Sequence, residues 1–368
     1  MTVDIPRYRL HNQFLSQTNL TEPSQVVSHL GAIQAQDYAG AKWALALRLK
    51  SARTAADLDM AFNEGSILRT HILRPTWHFV APEDIRWMLE LTAGRVHAAN
   101  AFMYRQLELD RDTLRKSYRV LEKALRGDKQ LTRSELGTAL QKAGIVAEGQ
   151  RLGYFMMSAE LDGIICSGGR RGKQFTYALL AERASNARAL PPEEALAELT
   201  RRYFATRAPA TLQDFVWWSG LTMETAKRGI ELVRSQFVSE VVEGKTYWLD
   251  RSVSPVKIVS PSAHLLPNYD EYYIGYRDRS AIGRLVSPLH PQENSVALNA
   301  HIVTLDGQIV GGWRRTLKKD VVVIEWKPIT GLTRAQVQAI VAAANRYGKF
   351  MGLAVEISEW PLNDDSSL

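Results

Sequence analysis

The sequence predicts an α+β protein in which tandem winged-helix domains, each a helix-turn-helix with a β-hairpin wing, precede a β-rich C-terminal portion. Three observations predict it. A helix, helix, hairpin order occurs twice between residues 130 and 250, a less regular copy precedes it, and from about residue 255 helical periodicity gives way to short strands. With 368 residues and 45% hydrophobic content the chain is long enough to bury a substantial core over several domains.

Residues 1–125 are expected to form an N-terminal winged-helix-like unit, with helices near 6–17, 23–34 and 55–63. Alternating stretches at 68–73 and 76–80, broken at Arg74-Pro75, read as a hairpin with a tight proline turn. Residues 126–190 form the second unit. Thr132 or Ser134 caps its first helix, Glu135 supports the first turn, and the helix stops near Gly144. A helix over 152–162 turns Leu152, Phe155, Met156, Ala159 and Leu161 to one face, and strands at 164–166 and 175–179 flank a Gly/Arg turn at 168–173. The third unit, 191–254, has a helix at 211–219, a Gly220-Leu221 bend, a helix at 222–233 capped by Thr222, and a hairpin at 237–249 turning at Glu243-Gly244. Residues 255–368 make the β-rich portion, with strands at 257–259, 301–305, 308–315 and 320–326, a helix at 333–347 and a strand at 353–357. Asp306-Gly307 is a strong hairpin signal within it.

The net charge of +7, from 46 Lys+Arg against 39 Asp+Glu, suits a polyanionic partner. Its placement matters more than its size. Arg170, Arg171 and Lys173, then Arg277 with Arg279, then Arg314 with Arg315 fall in turns or hairpins, where they reach phosphates readily. The single Cys166 forms no internal disulfide, and no Cys/His spacing suits zinc. Apolar runs are too short to span a bilayer and no secretory leader is evident, so a cytoplasmic protein, away from the membrane, is expected. Phosphate loops, nucleophile elbows and HExxH motifs are missing, so no metal or cofactor is expected.

Gln34-Ala35-Gln36 falls at the end of an expected helix, where polar residues ordinarily serve solvation. A second reading is chemical. Purines alkylated at N3 or N7 are already cationic, so their glycosidic bond breaks with little acid assistance, and an amide carbonyl can position water and face the developing sugar cation. A neutral amide is a poor general base, which restricts such a site to labile lesions; Asp37 either supplies charge or caps a turn. In the hairpin, Arg74, Thr76, Trp77 and His78 are candidate DNA contacts, with Trp77 and Phe79 packed inward as the plain alternative. Asp270 and Glu271, among arginines, read as structural ion pairs, and Gly311-Gly312-Trp313 permits close backbone approach beside Arg314 and Arg315.

Together, Gln34-Ala35-Gln36, the 73–78 hairpin, Leu266-Pro267-Asn268-Tyr269-Asp270-Glu271-Tyr272, Tyr276-Arg277-Asp278-Arg279 and Gly311-Gly312-Trp313-Arg314-Arg315 resemble the bacterial winged-helix DNA glycosylases of the AlkZ and YcaQ kind. The resemblance covers nearly the whole chain. It implies a monomeric, metal-free, monofunctional glycosylase acting at the nucleoid on double-stranded DNA with N-alkylated purines, in some members on interstrand crosslinks, around a concave DNA-binding channel. It also implies that Gln34 and Gln36 are catalytic, since they match the double-glutamine motif of the AlkZ-like branch; the YcaQ branch has a carboxylate second. The alternatives are a non-enzymatic winged-helix DNA-binding protein or transcription regulator, against which the missing heptad seam argues, and a protein-interaction scaffold.

Overall fold

The structure, a computed structural model, describes residues 3–250, 258–285 and 301–359. Its first part contains α1 (Ile5–Asn12), α2 (Pro23–Leu30), β1 (Ala32–Gln34), α3 (Tyr38–Ala46), α4 (Ala55–Glu64), β2 (Leu68–Ile72) and β3 (Arg74–Val80). Two long helices for which the sequence reading assigned no element follow, α5 (Ile85–Gln106) and α6 (Arg111–Leu125). Next come β4 (Leu131–Thr132), α7 (Arg133–Lys142), α8 (Gly149–Leu161), β5 (Ile165–Ser167), β6 (Thr176–Leu179) and the short α9 (Leu180–Arg183). The helix, helix, hairpin order recurs in α10 (Pro192–Arg207), α11 (Leu212–Ser219), α12 (Met223–Leu232), β7 (Phe237–Val242) and β8 (Lys245–Asp250). The C-terminal part holds β9 (Ala263–Leu266), α13 (Glu271–Ile274), β10 (His301–Leu305), β11 (Gln308–Leu317), β12 (Val321–Pro328), α14 (Arg334–Met351) and β13 (Ala354–Glu359). Its sheet runs β13-β12-β11-β10-β9, antiparallel except between β12 and β13.

Local capping chemistry sets the helix starts. Thr132 and Glu135 form the reciprocal capping box of α7, Thr211 and Asp214 that of α11, and Thr222 caps α12. Gly220 ends α11 at φ 71, and a Cβ there would stand 2.3 Å from the Leu73 carbonyl oxygen, so the bend packs directly on the β2–β3 turn.

Three expectations are corrected. Gln34 lies in a strand, not at a helix end, because α2 stops at Leu30 and Gly31 turns the chain at φ 79. The β2–β3 reversal is on Leu73, at φ 63, and Pro75 sits inside β3. Ile258 and Val259 are not in a strand, and the sheet's edge is β9 instead; Pro255 and Lys257 lie outside the described residues.

The sheet β1-β3-β2 divides two cores. Ile33 and Phe79 pack with Trp43, Leu265, Trp313 and Tyr347, whereas Ala32 and Val80 pack with Trp87, Tyr203 and Trp218. Alternation along a strand sends neighbours to opposite faces, so a strand buried on both sides must be apolar or fully satisfied at each position. A third core gathers Leu121, Leu136, Phe155 and Tyr177.

Buried charge links the chain's two ends. The Arg48 guanidinium donates to both Asp270 oxygens at 2.9 and 2.7 Å, and both side chains are fully buried. Asp270→Ala strands that guanidinium and should lower the unfolding free energy by about 3–5 kcal/mol, against less than about 1 kcal/mol for Arg228→Ala in an exposed pair with Glu193, as read by urea denaturation. Burial also pushes His29 and His264 down to about 4, each ring donating to a backbone carbonyl. The unfolded chain, with imidazoles near 6.5, therefore binds more protons in between. Stability present above about pH 6.5 is lost as pH falls toward 4, by up to about 2.7 kcal/mol per pH unit for the two rings. Urea midpoints should drop from pH 7 to pH 5, and the drop should shrink in His29→Gln/His264→Gln; an unchanged drop would remove these rings as its cause.

Candidate active site

Gln34 in β1 lies directly opposite His78 in β3, which on its other side lies opposite Thr70 in β2. Directly opposed residues share a face, with Cβ atoms about 4.5–5.5 Å apart. The three side chains thus form one row across the sheet, only 7%, 0% and 0% exposed in that order. Gln34 Oε1, His78 Nε2 and Thr70 Oγ1 have no hydrogen-bond partner in the protein, nor do Thr76 Oγ1 and Arg74 Nε and Nη2 on β3. A buried polar atom left unpaired costs about 1–3 kcal/mol, so native interiors keep few of them. Their concentration on one small sheet marks a place built for a polar ligand.

The protonation of His78 follows from its neighbours. Burial holds its pKa well below 6.5, with Arg74 pushing the same way, so the ring is neutral at physiological pH. Its Nδ1 lies 2.9 Å from the Thr76 carbonyl, which can only accept, so the ring proton is on Nδ1 and Nε2 carries the lone pair. Gln34 Oε1 and His78 Nε2 are therefore two neighbouring acceptors, a pair suited to holding a donor such as water.

The backbone of the Gln34-Ala35-Gln36 stretch is held from several sides. The Gln34 N–H donates to Glu271 Oε1 at 2.9 Å, and Glu271 Oε2 accepts from Arg207 at 2.6 Å and from the Trp218 indole at 2.9 Å. Arg207 also donates to the Leu30 and Ala32 carbonyls at 2.9 and 3.1 Å. The Ala35 N–H donates to the Trp77 carbonyl at 2.7 Å, and Arg69 Nε–H donates to the Ala35 carbonyl at 3.0 Å. Gln36, by contrast, is exposed, its Oε1 only 3.5 Å from the Trp77 N–H. Asp37 caps α3, accepting the Gly40 N–H at 3.1 Å.

The other candidates are dispersed. On the hairpin, Arg74, Thr76 and Trp77 are half-buried, Phe79 is in the core, and His78 faces no open solvent. Arg170 pairs with Asp59 and Arg171 with Glu135, while Lys173 is exposed. Arg277 is exposed, and Arg279 lies over the Tyr273 ring and donates to its carbonyl. Arg314 pairs with Glu325, and Arg315 Nη1 lies 2.9 Å from His301 Nε2, whose ring is pushed down to about 4 by burial and then by that guanidinium. Asp270 and Glu271 are structural ion pairs, as expected. Sequence reasoning missed Thr70, which the alternation of 68–73 offers as the neighbour of His78, and Arg69 and Arg207, for which no local signal exists. No group of three or more His, Cys, Asp or Glu side chains is gathered among the described residues, and no helix among them is long and apolar enough to cross a membrane.

Comparison with known proteins gives the family of the chain. Over residues 27–350 the chain matches the model of the family described as DNA glycosylase AlkZ-like. A curated relative from Streptomyces sahachiroi, an interstrand DNA cross-link repair glycosylase, is 25% identical over 370 residues, covering 94% of this chain and 95% of that protein. The solved structure of Streptomyces sahachiroi DNA glycosylase AlkZ has the same mixed α+β fold, with a TM-score of 0.79 over 97% of this chain and 100% of that one at 22% identity. With a family match spanning most of its length, the chain belongs to the AlkZ-like DNA glycosylases and is an enzyme of DNA repair.

Proposed function

We propose that the buried row on β1-β3-β2 is where this glycosylase hydrolyses the N-glycosidic bond of purines alkylated at N3 or N7, with Gln34 and Gln36 as its catalytic residues. The observation that carries this reading is the pair of unpartnered acceptors, Gln34 Oε1 and His78 Nε2, in neighbouring positions. They hold a water by its hydrogens and turn its lone pair outward; Gln36, at the exposed end of the stretch, meets the sugar. The C1′–N bond breaks as the cationic base departs with the bonding electrons and becomes neutral. Water then bonds to C1′ and releases a proton to solvent, leaving an abasic site. The reaction ends there, because no amine is needed to open the sugar. The name of the Streptomyces relative extends the same chemistry to crosslinked purines, in which each glycosidic bond is equally labile.

Duplex DNA is the partner, met by a monomer. The element orders over 131–179 and 212–250 support two winged helices, and the first part supplies the third, with DNA lying in a concave channel between them. Lys173, Arg277, the half-buried Arg74, Thr76 and Trp77, and the fully buried His78 once the base is seated are its contacts; Arg170, Arg171, Arg279, Arg314 and Arg315 must exchange or share present partners to join them.

An abasic-site gel assay on an N7-alkylguanine duplex tests the reading. Gln34→Ala/Gln36→Ala should lower single-turnover excision by at least about 100-fold, and equal excision by variant and wild type would end the catalytic assignment. A second expectation concerns pH. With amides and a ring held neutral far below 6.5, no group in the row changes charge near neutrality. The single-turnover rate should stay level within about twofold from pH 6 to 8; an acid limb near 6.5 would contradict a neutral His78.

A further inference from the structure

A cleft of about 680 Å³ opens between the β2–β3 hairpin, the first turns of α7 and α8, and the loop before β6. Three cations line it, Arg69, Arg133 and Lys173, with the rings of Trp77, Phe175 and Tyr177, and no carboxylate does. Arg69 is unusual among them. It is 7% exposed, its guanidinium is stacked 4.3 Å from the Trp77 ring centroid and 4.6 Å from that of Phe175, and it forms no ion pair among the described residues. Burial has lowered its pKa to about 10, and the nearest carboxylate acting on it, Glu160, is bonded to His71. A buried cation without a counter-ion is expensive to keep. With two rings against it, the guanidinium hydrogen-bonds through its edges, and Nε on one edge is already held by the Ala35 carbonyl. Its Nη groups form a fixed fork of the kind that matches a phosphate.

Arg133 and Lys173 complete the arrangement. Both are exposed, neither forms an ion pair among the described residues, and Arg133 donates a hydrogen bond to the Gly149 carbonyl at 3.3 Å. We infer that this cleft binds a phosphodiester of the DNA strand that carries the target nucleotide, with Arg69 linking that phosphate to the Gln34-Ala35-Gln36 stretch through Ala35. The inference rests on the DNA reading above for its ligand. It adds a contact that sets the position of the catalytic stretch when the backbone is seated.

The test uses the full chain and a duplex bearing an uncleavable abasic analogue, so binding is read independently of excision. In fluorescence anisotropy, Arg133→Ala/Lys173→Ala should reduce the slope of log affinity against log salt by about 0.9, the contribution of one phosphate contact. Lys142→Ala, an exposed lysine at the opposite end of α7, should leave the slope unchanged. Neutral methylphosphonates are then placed one at a time within two nucleotides of the analogue. One position should weaken wild-type binding by at least about fivefold and leave the double variant unaffected. Losses that simply add at every position, or a slope equal to that of Lys142→Ala, would overturn the site. Arg69 has its own readout: Arg69→Met should lower the slope by about 1, whereas Arg69→Lys should keep the slope and lower the single-turnover excision rate, because the bond to Ala35 is lost. Equal slopes for these two variants would remove Arg69 from the phosphate. Inactivity of wild type on alkylated DNA would instead strike the glycosylase chemistry and leave the binding result standing.

Discussion

The Glu271 carboxylate is the interaction on which the rest of this structure depends. Fully buried, it accepts from the Gln34 backbone, from two nitrogens of Arg207 and from the Trp218 indole, thereby joining β1, α10 and α11 at one point. Arg207 extends the same hold to the carbonyls of Leu30 and Ala32, on either side of the Gly31 bend. A strand of three residues has too few ladder bonds to fix its own position. The ion pair does it, and in a low-dielectric interior it is firm only because every member is satisfied. Next to it, Asp270 holds Arg48, Tyr272 donates to the Gly307 carbonyl, and Tyr276 donates to the Arg207 carbonyl. The segment 270–276 is thus a polar rib through the two cores that meet at the β1-β3-β2 sheet.

That investment has a local counterpart. Five side chains on the sheet keep buried polar atoms without partners from the protein itself, beside charges that are fully paired. A protein that can satisfy Glu271 with four donors is capable of satisfying Gln34, and it does not. Unmet polar groups beside an over-determined anchor are the pattern of a preorganised site, where rigidity is supplied from outside so that the reactive atoms remain available.

What the sequence made legible was what is local. The Thr132-Glu135 box, the Thr222 cap, and the Glu243-Gly244 and Asp306-Gly307 turns, each with positive φ at both residues, depend on neighbours within four positions, and each lies where it was expected. The two capped helix pairs and most of the C-terminal strands follow from them. β1 was not legible, because its partners are Arg207 and Glu271, the latter 237 residues away. The Leu73 turn was assigned to the proline two residues later because a left-handed leucine has no propensity signal; Gly220, pressed on its carbonyl, makes room for it. For the site, the glutamine stretch and His78 could be found by chemistry and alternation. That Gln34 is buried while Gln36 is exposed depended on where β1 ends, and Asp270 and Glu271 read correctly as ion pairs without disclosing that one of them carries Gln34.

The charges around the row decide what chemistry it can support. Asp37 is occupied in capping α3, Glu271 is neutralised by Arg207, and His78 is a neutral ring. Of these two carboxylates, Glu271 is therefore spent in an ion pair and Asp37 is engaged at the start of α3. Amide and imidazole lone pairs remain, dipoles that orient water and take up little charge. Such a set lowers the barrier by positioning, and the leaving group must supply the rest. A purine made cationic by alkylation does so, because breaking its bond removes a charge from the base instead of creating one. An intact purine would leave as an anion in a site with no acid to protonate it. In the proposed mechanism, selectivity for damage thus follows from reliance on neutral dipoles, which leave the glycosidic bond of an undamaged purine intact.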